Sequence, residues 1–328
     1  MAAASHAQYD FSELTQKLEA NKKELGKSYA VLIYKDGKII YDKKIGEEFD
    51  KKTQAPIAAA SQWLTAALVM TFVDEGKLTL DTKVSDYLPI FKTYGKSYIT
   101  IRHCLAHMTG IQAKKNIAGF TAKSKTDKLE DEVNEFVKRE IENNAGAECW
   151  YNNVGASIAA RVLEVITKKN FDRLMSERII RPLMMRSTSF NVEKAVNPAG
   201  GATSSAVDYM NFLTMMLNKG MFNGRKILSE DAVKQLETPQ MTQGMVKYAP
   251  KAAEGSDFGL GDIILEKDGS GKVTAVASPG FYGTWPMIDL CRGYACIIFT
   301  KDLPNETKKE IYTDFKASID KVIGSDCK

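Results

Sequence analysis

Residues 56–70, PIAAASQWLTAALVM, govern the reading of the whole chain. Leu64, Leu68 and Phe72 recur every fourth residue, so a helix begins near Ala60. Gly76 supplies its C-terminal stop after Asp74 and Glu75. Ser61 is followed one turn later by Leu64, and Ala59 by Gln62. Neither register pairs a serine with a lysine one turn on.

A chain of 328 residues can bury a large core. Its 44% hydrophobic and 26% charged residues are those of an ordinary globular protein, not of a disordered one. With 45 basic against 41 acidic side chains, the net charge of +4 is too small and too scattered to argue for nucleic acid or a membrane surface. The densest basic stretch, QAKKNIAGFTAKSKTDK (112–128), reads as a solvated loop leading into a helix. No apolar run approaches the length of a membrane span.

The cysteines at 104, 149, 291, 296 and 327 make no C-x-x-C pair and no zinc pattern with the three histidines. Cys291 and Cys296 flank Arg292-Gly293 and could face each other across a hairpin, but unpaired, half-buried thiols are the expectation. The start, MAAASHAQYDF, lacks a basic n-region and an apolar h-region, so no signal peptide is read there. Residues 1–8 are expected to be a disordered tail or an engineering scar. A mature N-terminus behind it would fit a periplasmic or secreted parent protein.

Outward from the 60–75 helix, residues 10–25 read as an amphipathic helix, and SYAVLIYKDGKIIYDKKIG (28–46) as a hairpin turning at Asp36-Gly37. ITIRHCLAHMTGI (99–111) begins like a capped helix and ends at Gly110. Helices are also expected over 127–143, 153–168, 206–220 and roughly 305–323, with strands at 258–267, 272–278 and 294–300. Strands at both ends with helices between predict an α+β fold. One antiparallel sheet is formed by the N- and C-terminal segments and flanked by helices, and a helical region is inserted. Residues 9–325 should form one domain, with the sheet part at 9–60 and 206–325, the helical part at 61–205, and a cleft between them.

In order and spacing, several segments resemble the class C β-lactamase, D,D-peptidase and family VIII esterase group of serine hydrolases. They are ALVMTFVDEGKLTLDTKVSDYLP, TIRHCLAHMTGI, CWYNNVGASIAARVLEVIT, RPLMMRST, GGATSSAVDYMNFL and SPGFYGTWPMID. Met184 departs from the glycine usual in the family's P-L-G-M run. The resemblance implies three motifs around a cleft: S-x-x-K with nucleophile and lysine base, Y-x-N, and K-T-G or H-x-G on a bordering strand.

The second motif stands intact as Tyr151-Asn152-Asn153, with Tyr151 the expected proton relay and Asn153 the expected holder of a substrate carbonyl. The third reads Ser278-Pro279-Gly280, without a cation but with the glycine that permits close backbone approach. The N–H of Phe281 is the expected oxyanion donor there. The first motif fails, because Ala59 takes the nucleophile position and Gln62 the lysine position. Gln62 cannot accept a proton near neutral pH. Ser61, two positions beyond Ala59, points roughly 200° away on a helix and is expected to line a packing face or cap locally. His103 and His107, one turn apart, have no carboxylate at matching spacing and read as structural.

The expectation is therefore a β-lactamase-like serine hydrolase, acting on ester or amide carbonyls, whose nucleophile and base are disabled. It would be an inactivated variant or a pseudoenzyme, binding a small ester, amide or peptide-like ligand in the old cleft. No cofactor, no metal and no nucleic acid is expected, and the oligomeric state is left open. The alternatives are an active enzyme using Tyr151 as a non-covalent acid–base, and a structural or assembling protein.

Overall fold

β-Branched and aromatic residues dominate the runs that become the central strands. In a computed structural model, which describes residues 9–47, 49–113, 124–190, 193–301, 308–324 and 327, the hairpin at Asp36-Gly37 joins β1 (Tyr29–Lys35) to β2 (Lys38–Ile45). Near the other end of the chain come β3 (Asp257–Phe258), β4 (Ile263–Lys267), β5 (Val273–Ala277), β6 (Trp285–Asp289) and β7 (Tyr294–Thr300). The sheet runs β3-β4-β5-β6-β7-β1-β2, antiparallel at every pairing. N-terminal β1 lies beside C-terminal β7, with Val31 opposite Ile298, so the two termini close one sheet as expected.

Helices cover both faces of this sheet. On one face α1 (Ser12–Ala20) packs with α8 (Lys309–Ile323), where Tyr312 stacks on Trp285 of β6 at 4.9 Å. The other face receives α6 (Ala206–Leu217). Behind α6 lies α2 (Ser61–Asp74), joined to it where Trp63 meets Phe212 edge-on at 5.5 Å. Nearly every residue of α2 is buried, which is why its apolar positions are not confined to one stripe. The helical region adds α3 (Ile101–Leu105), α4 (Leu129–Lys138) and α5 (Val154–Thr167), and α7 (Glu230–Leu236) packs against α2.

Several expected boundaries move for local reasons. The 10–25 helix breaks at Asn21, whose side chain returns to the Lys17 carbonyl. The helix expected over 99–111 is capped at Thr100 as read but ends at Leu105, because His107 adopts φ 59°. The 258–267 strand is two strands around a turn at residues 259–262, and Trp285–Asp289 is a strand that the sequence reading left unassigned. The tail at 1–8 and most of the basic stretch lie outside the described residues.

The cysteine expectation needs correction. Cys291 forms a disulfide with Cys327, 36 residues on, so two of the five thiols are paired. Cys296 does not face Cys291. It sits within β7, buried opposite Met287 and Ile33, and stays free with Cys104 and Cys149.

Candidate functional site

The chain enters α2 through a short 3₁₀ turn, Ala58–Ala60, and Ala58 there has φ 43°. A non-glycine residue in this left-handed region is strained, and such strain collects at functional turns. Ala59 follows it, fully buried, at the point where the chain swings into the helix. Gln62 lies one turn on and is 3% exposed, and its Nε2 has no hydrogen-bond partner among the described residues. Ser61 faces elsewhere: its Oγ accepts a hydrogen bond from the Ala202 N–H at 3.2 Å, the packing role expected of it.

The third-motif segment closes on this turn. Ser278 follows β5 and donates its hydroxyl to the Gly261 carbonyl at 3.0 Å. Gly280 presses so close that a Cβ there would lie 2.4 Å from the Ile57 carbonyl oxygen, so only glycine fits. Its N–H donates to the Thr284 carbonyl at 2.7 Å, setting a tight turn that presents Phe281. Gly261, at φ +84°, is pinned in turn against α2, where a Cβ would lie 2.8 Å from the Gln62 carbonyl oxygen.

Tyr151 comes from the loop before α5. Its backbone N–H is held by the Tyr248 carbonyl. Asn152 uses its own Oδ1 to cap α5, accepting from Val154 N–H at 2.8 Å, while Asn153 stands half-buried at the N-cap without a side-chain cap bond. The Tyr151 ring lies tilted against His107 at 4.4 Å and meets Phe258 at 5.5 Å and Phe281 at 6.5 Å. Burial pushes the Tyr151 phenol above its ordinary pKa. Burial also drives the His107 imidazole down to about 4, so it is neutral near pH 7. Its Nδ1 lies 3.1 Å from the Asn152 carbonyl oxygen.

The expected positions therefore converge through a chain of contacts: Ile57 and Gln62 on Gly280 and Gly261, then Phe281 and Phe258 on Tyr151. The expected open cleft does not reach them. Ala59, Gln62, Tyr151, Ser278 and Phe281 are all buried, because the aromatic rings fill the space. A small cavity beside Tyr151, between His107 and Asn143, has room for about one water, near 10 Å³. Phe258, Tyr209 and Asp262 join this neighbourhood without having been singled out from the sequence. Their signal, F-G-L-G-D and a tyrosine within a helix, is indistinguishable from ordinary core patterning.

Away from this site, Glu266, Asp289 and Asp320 bring carboxylate oxygens together as metal ligands would. The Lys316 ammonium already lies 2.8 Å from each of them and takes the place a cation would fill.

The model of the family described as Beta-lactamase matches residues 16–321. The chain belongs to the beta-lactamase family. Among solved beta-lactamase-like structures, one described as a "putative beta-lactamase from Bacteroides dorei DSM 17855" superposes with a TM-score of 0.86 at 24% identity, covering 97% of this chain and 100% of that one. EstCE1, described as a hydrolase with promiscuous acyltransferase activity, has a TM-score of 0.79 at 17% identity, covering 96% and 99%. At such identities the likeness establishes the beta-lactamase/transpeptidase-like fold. Protein flp of Staphylococcus aureus (strain NCTC 8325 / PS 47) is 28% identical over 171 residues, 49% of this chain and 34% of its own length. The chain thus aligns with about a third of the length of that relative. Among the described residues no helix is long and apolar enough to cross a membrane.

Proposed function

We propose that this member of the beta-lactamase family has lost covalent acyl transfer and survives as an inactivated form or pseudoenzyme of an ester- or amide-directed hydrolase. The observation that carries the reading is the strained turn at Ala58, which leads into an alanine and then a glutamine one turn later. A methyl group offers no nucleophile at Ala59, and the Gln62 amide cannot take its proton. Tyr151, held protonated by burial, is a poor general base on its own, which weighs against a non-covalent Tyr151 enzyme.

In this reading Tyr151 and Asn153 are the retained relay and carbonyl-holding groups, and the Ser278–Phe281 turn is the retained wall of the site. Its ligand would be a small carbonyl compound, an ester, amide or peptide-like molecule, admitted when the aromatic plug moves. The Cys291–Cys327 disulfide favours folding in an oxidising compartment, which supports an exported parent protein.

The test is reversion. Ala59→Ser alone supplies a hydroxyl with no base, and Gln62→Lys alone supplies a base with nothing to activate. General-base assistance is worth roughly 10²–10⁴-fold, and groups acting as a unit are strongly non-additive. The double variant should hydrolyse p-nitrophenyl acetate far faster than either single variant, and Tyr151→Phe in that background should slow it again. A folded double variant with no esterase, amidase or β-lactamase activity would overturn the reading of Ala59 and Gln62 as the lost pair.

A further inference from the structure

The turn that packs on the first residues of α2 carries an acid in an unusual setting. Asp262 ends the β3–β4 turn, is 3% exposed, and receives no hydrogen bond at either carboxylate oxygen from another described residue. Its Oδ1 lies 2.1 Å from the point a Cβ on Gly259 would occupy, and the Leu236 carbonyl oxygen lies 2.4 Å from that same point. Glu237, which follows Leu236 and caps α7, is 9% exposed, with its Oε1 unpartnered among the described residues. Both carboxyl groups are thus buried where α7 meets the turn. Burying an ionised carboxylate without a partner is already prohibitive, and a second acid nearby adds repulsion.

Among the described residues no cation pairs with either carboxyl, and Lys234 of α7 is exposed. From α6 comes Tyr209, whose phenol burial holds protonated; from the first three turns of α2 come only neutral side chains, Gln62 among them. From β3, Asp257 pairs with Lys267 of β4. The segment after α7 brings Gln240, which occupies Arg102, itself paired with Asp81. His107, edge-on to Phe258, is neutral. Burial accordingly raises the Glu237 carboxyl to about 8, and burial with Glu237 beside it raises Asp262 as well. A carboxyl raised on folding contributes stability that is full below its unfolded pKa and is lost as pH rises through its folded pKa.

What the turn holds shut is the candidate site. Phe258 at its start lies on Tyr151, and Gly261 within it presses on Gln62 and accepts from Ser278. We propose that the Gly259–Asp262 turn is a pH-operated latch, seated while Asp262 and Glu237 keep their protons and released when they ionise, so that Phe258 lifts from Tyr151 and the closed site opens. The latch stands on the two carboxyls and the turn's contacts, and holds whether or not the proposed loss of acyl transfer is correct.

Hydrogen–deuterium exchange of the full chain at pH 5.5 and 8.5, corrected for the intrinsic pH dependence of exchange, tests it. Peptides spanning 257–264 should lose protection at least 10-fold on going to pH 8.5, while peptides from β7 keep theirs. Asp262→Asn and Glu237→Gln should each keep the turn protected at both pH values. Equal protection of the native turn at both values, or the same pH response in a folded Asp262→Asn or Glu237→Gln variant, would overturn the latch. Should neither variant fold, ¹³C carboxyl titration of the native protein decides: a carboxyl titrating between pH 5.5 and 8.5 supports the latch, and none doing so overturns it.

Discussion

Tyr209 donates its phenolic proton to the Ala60 carbonyl at 2.8 Å, tying the first turn of α6 to the turn that carries Ala59. Both residues are fully buried, so the bond is made out of reach of water. Tyr209→Phe removes the donor and keeps the ring packed on Phe212. The variant should lose about 1 kcal/mol in equilibrium urea denaturation, the usual worth of one buried hydrogen bond. An unchanged midpoint would show that the carbonyl is satisfied without the phenol.

His107 provides a pH signature. Its folded pKa of about 4 lies below the ordinary value of 6.5, so the unfolded chain binds a proton that the folded chain refuses. The neutral ring's stability is present above pH 6.5 and is lost as pH falls towards 4. Between pH 7 and pH 5 the native chain should lose about 2 kcal/mol more than His107→Gln, compared by urea denaturation at each pH. Parallel losses in the two proteins would place the imidazole in contact with water.

Chemical labelling examines position 59 directly. With a fully buried methyl group there, a fluorophosphonate or a β-lactam should leave the intact mass unchanged after hours of exposure. A stoichiometric adduct mapped to Ser61 would mean that the serine turns from Ala202 towards the site, and would restore an ordinary serine mechanism.

Met184 occupies a left-handed position, φ 56°, with its side chain largely in solvent. That conformation costs a non-glycine residue about 1–2 kcal/mol, partly offset because glycine adds roughly 0.5–1 kcal/mol of entropy to the unfolded chain. Met184→Gly should therefore gain ~0.5–1 kcal/mol, read as a higher urea midpoint at constant m-value. A lower midpoint would mean that the methionine makes contacts worth more than the strain.

Lys316 is 1% exposed and bonds three carboxylates, including the fully buried Asp289. Burial presses its pKa down, but Asp289, Asp320 and Glu266 outweigh it and the ammonium is held above its ordinary value. Lys316→Met strands these charges with Arg292 as the remaining close cation among the described residues, 3.0 Å from Asp289. A loss of about 3–5 kcal/mol is expected, as for a broken buried ion pair. A loss under ~1 kcal/mol in urea denaturation would show that Arg292 suffices.

Order and spacing along the chain were enough to place the antiparallel sheet closed by both termini; that Ala59 and Gln62 stand in for a serine and a lysine is part of the proposal. Periodicity reports which residues turn inward from a helix or strand, and α4 and α8, each with one apolar face, show it, whereas α2 is buried nearly all round. The positive φ at Met184 is a conformation that favours glycine, the residue the family resemblance leads one to expect there. Contacts between distant segments leave no such local trace. The Cys291–Cys327 bond, Lys316 among three carboxylates from three elements, and Asp262 against the end of α7 all depend on how elements dock. The filling of the cleft by Phe258 and Phe281 is of the same kind, since an aromatic residue reads alike whether it plugs a site or packs a core. Sequence sets which face of each element is apolar; only the packed fold decides which side chains share the same dry space, and therefore which charges are paired and which sites are closed.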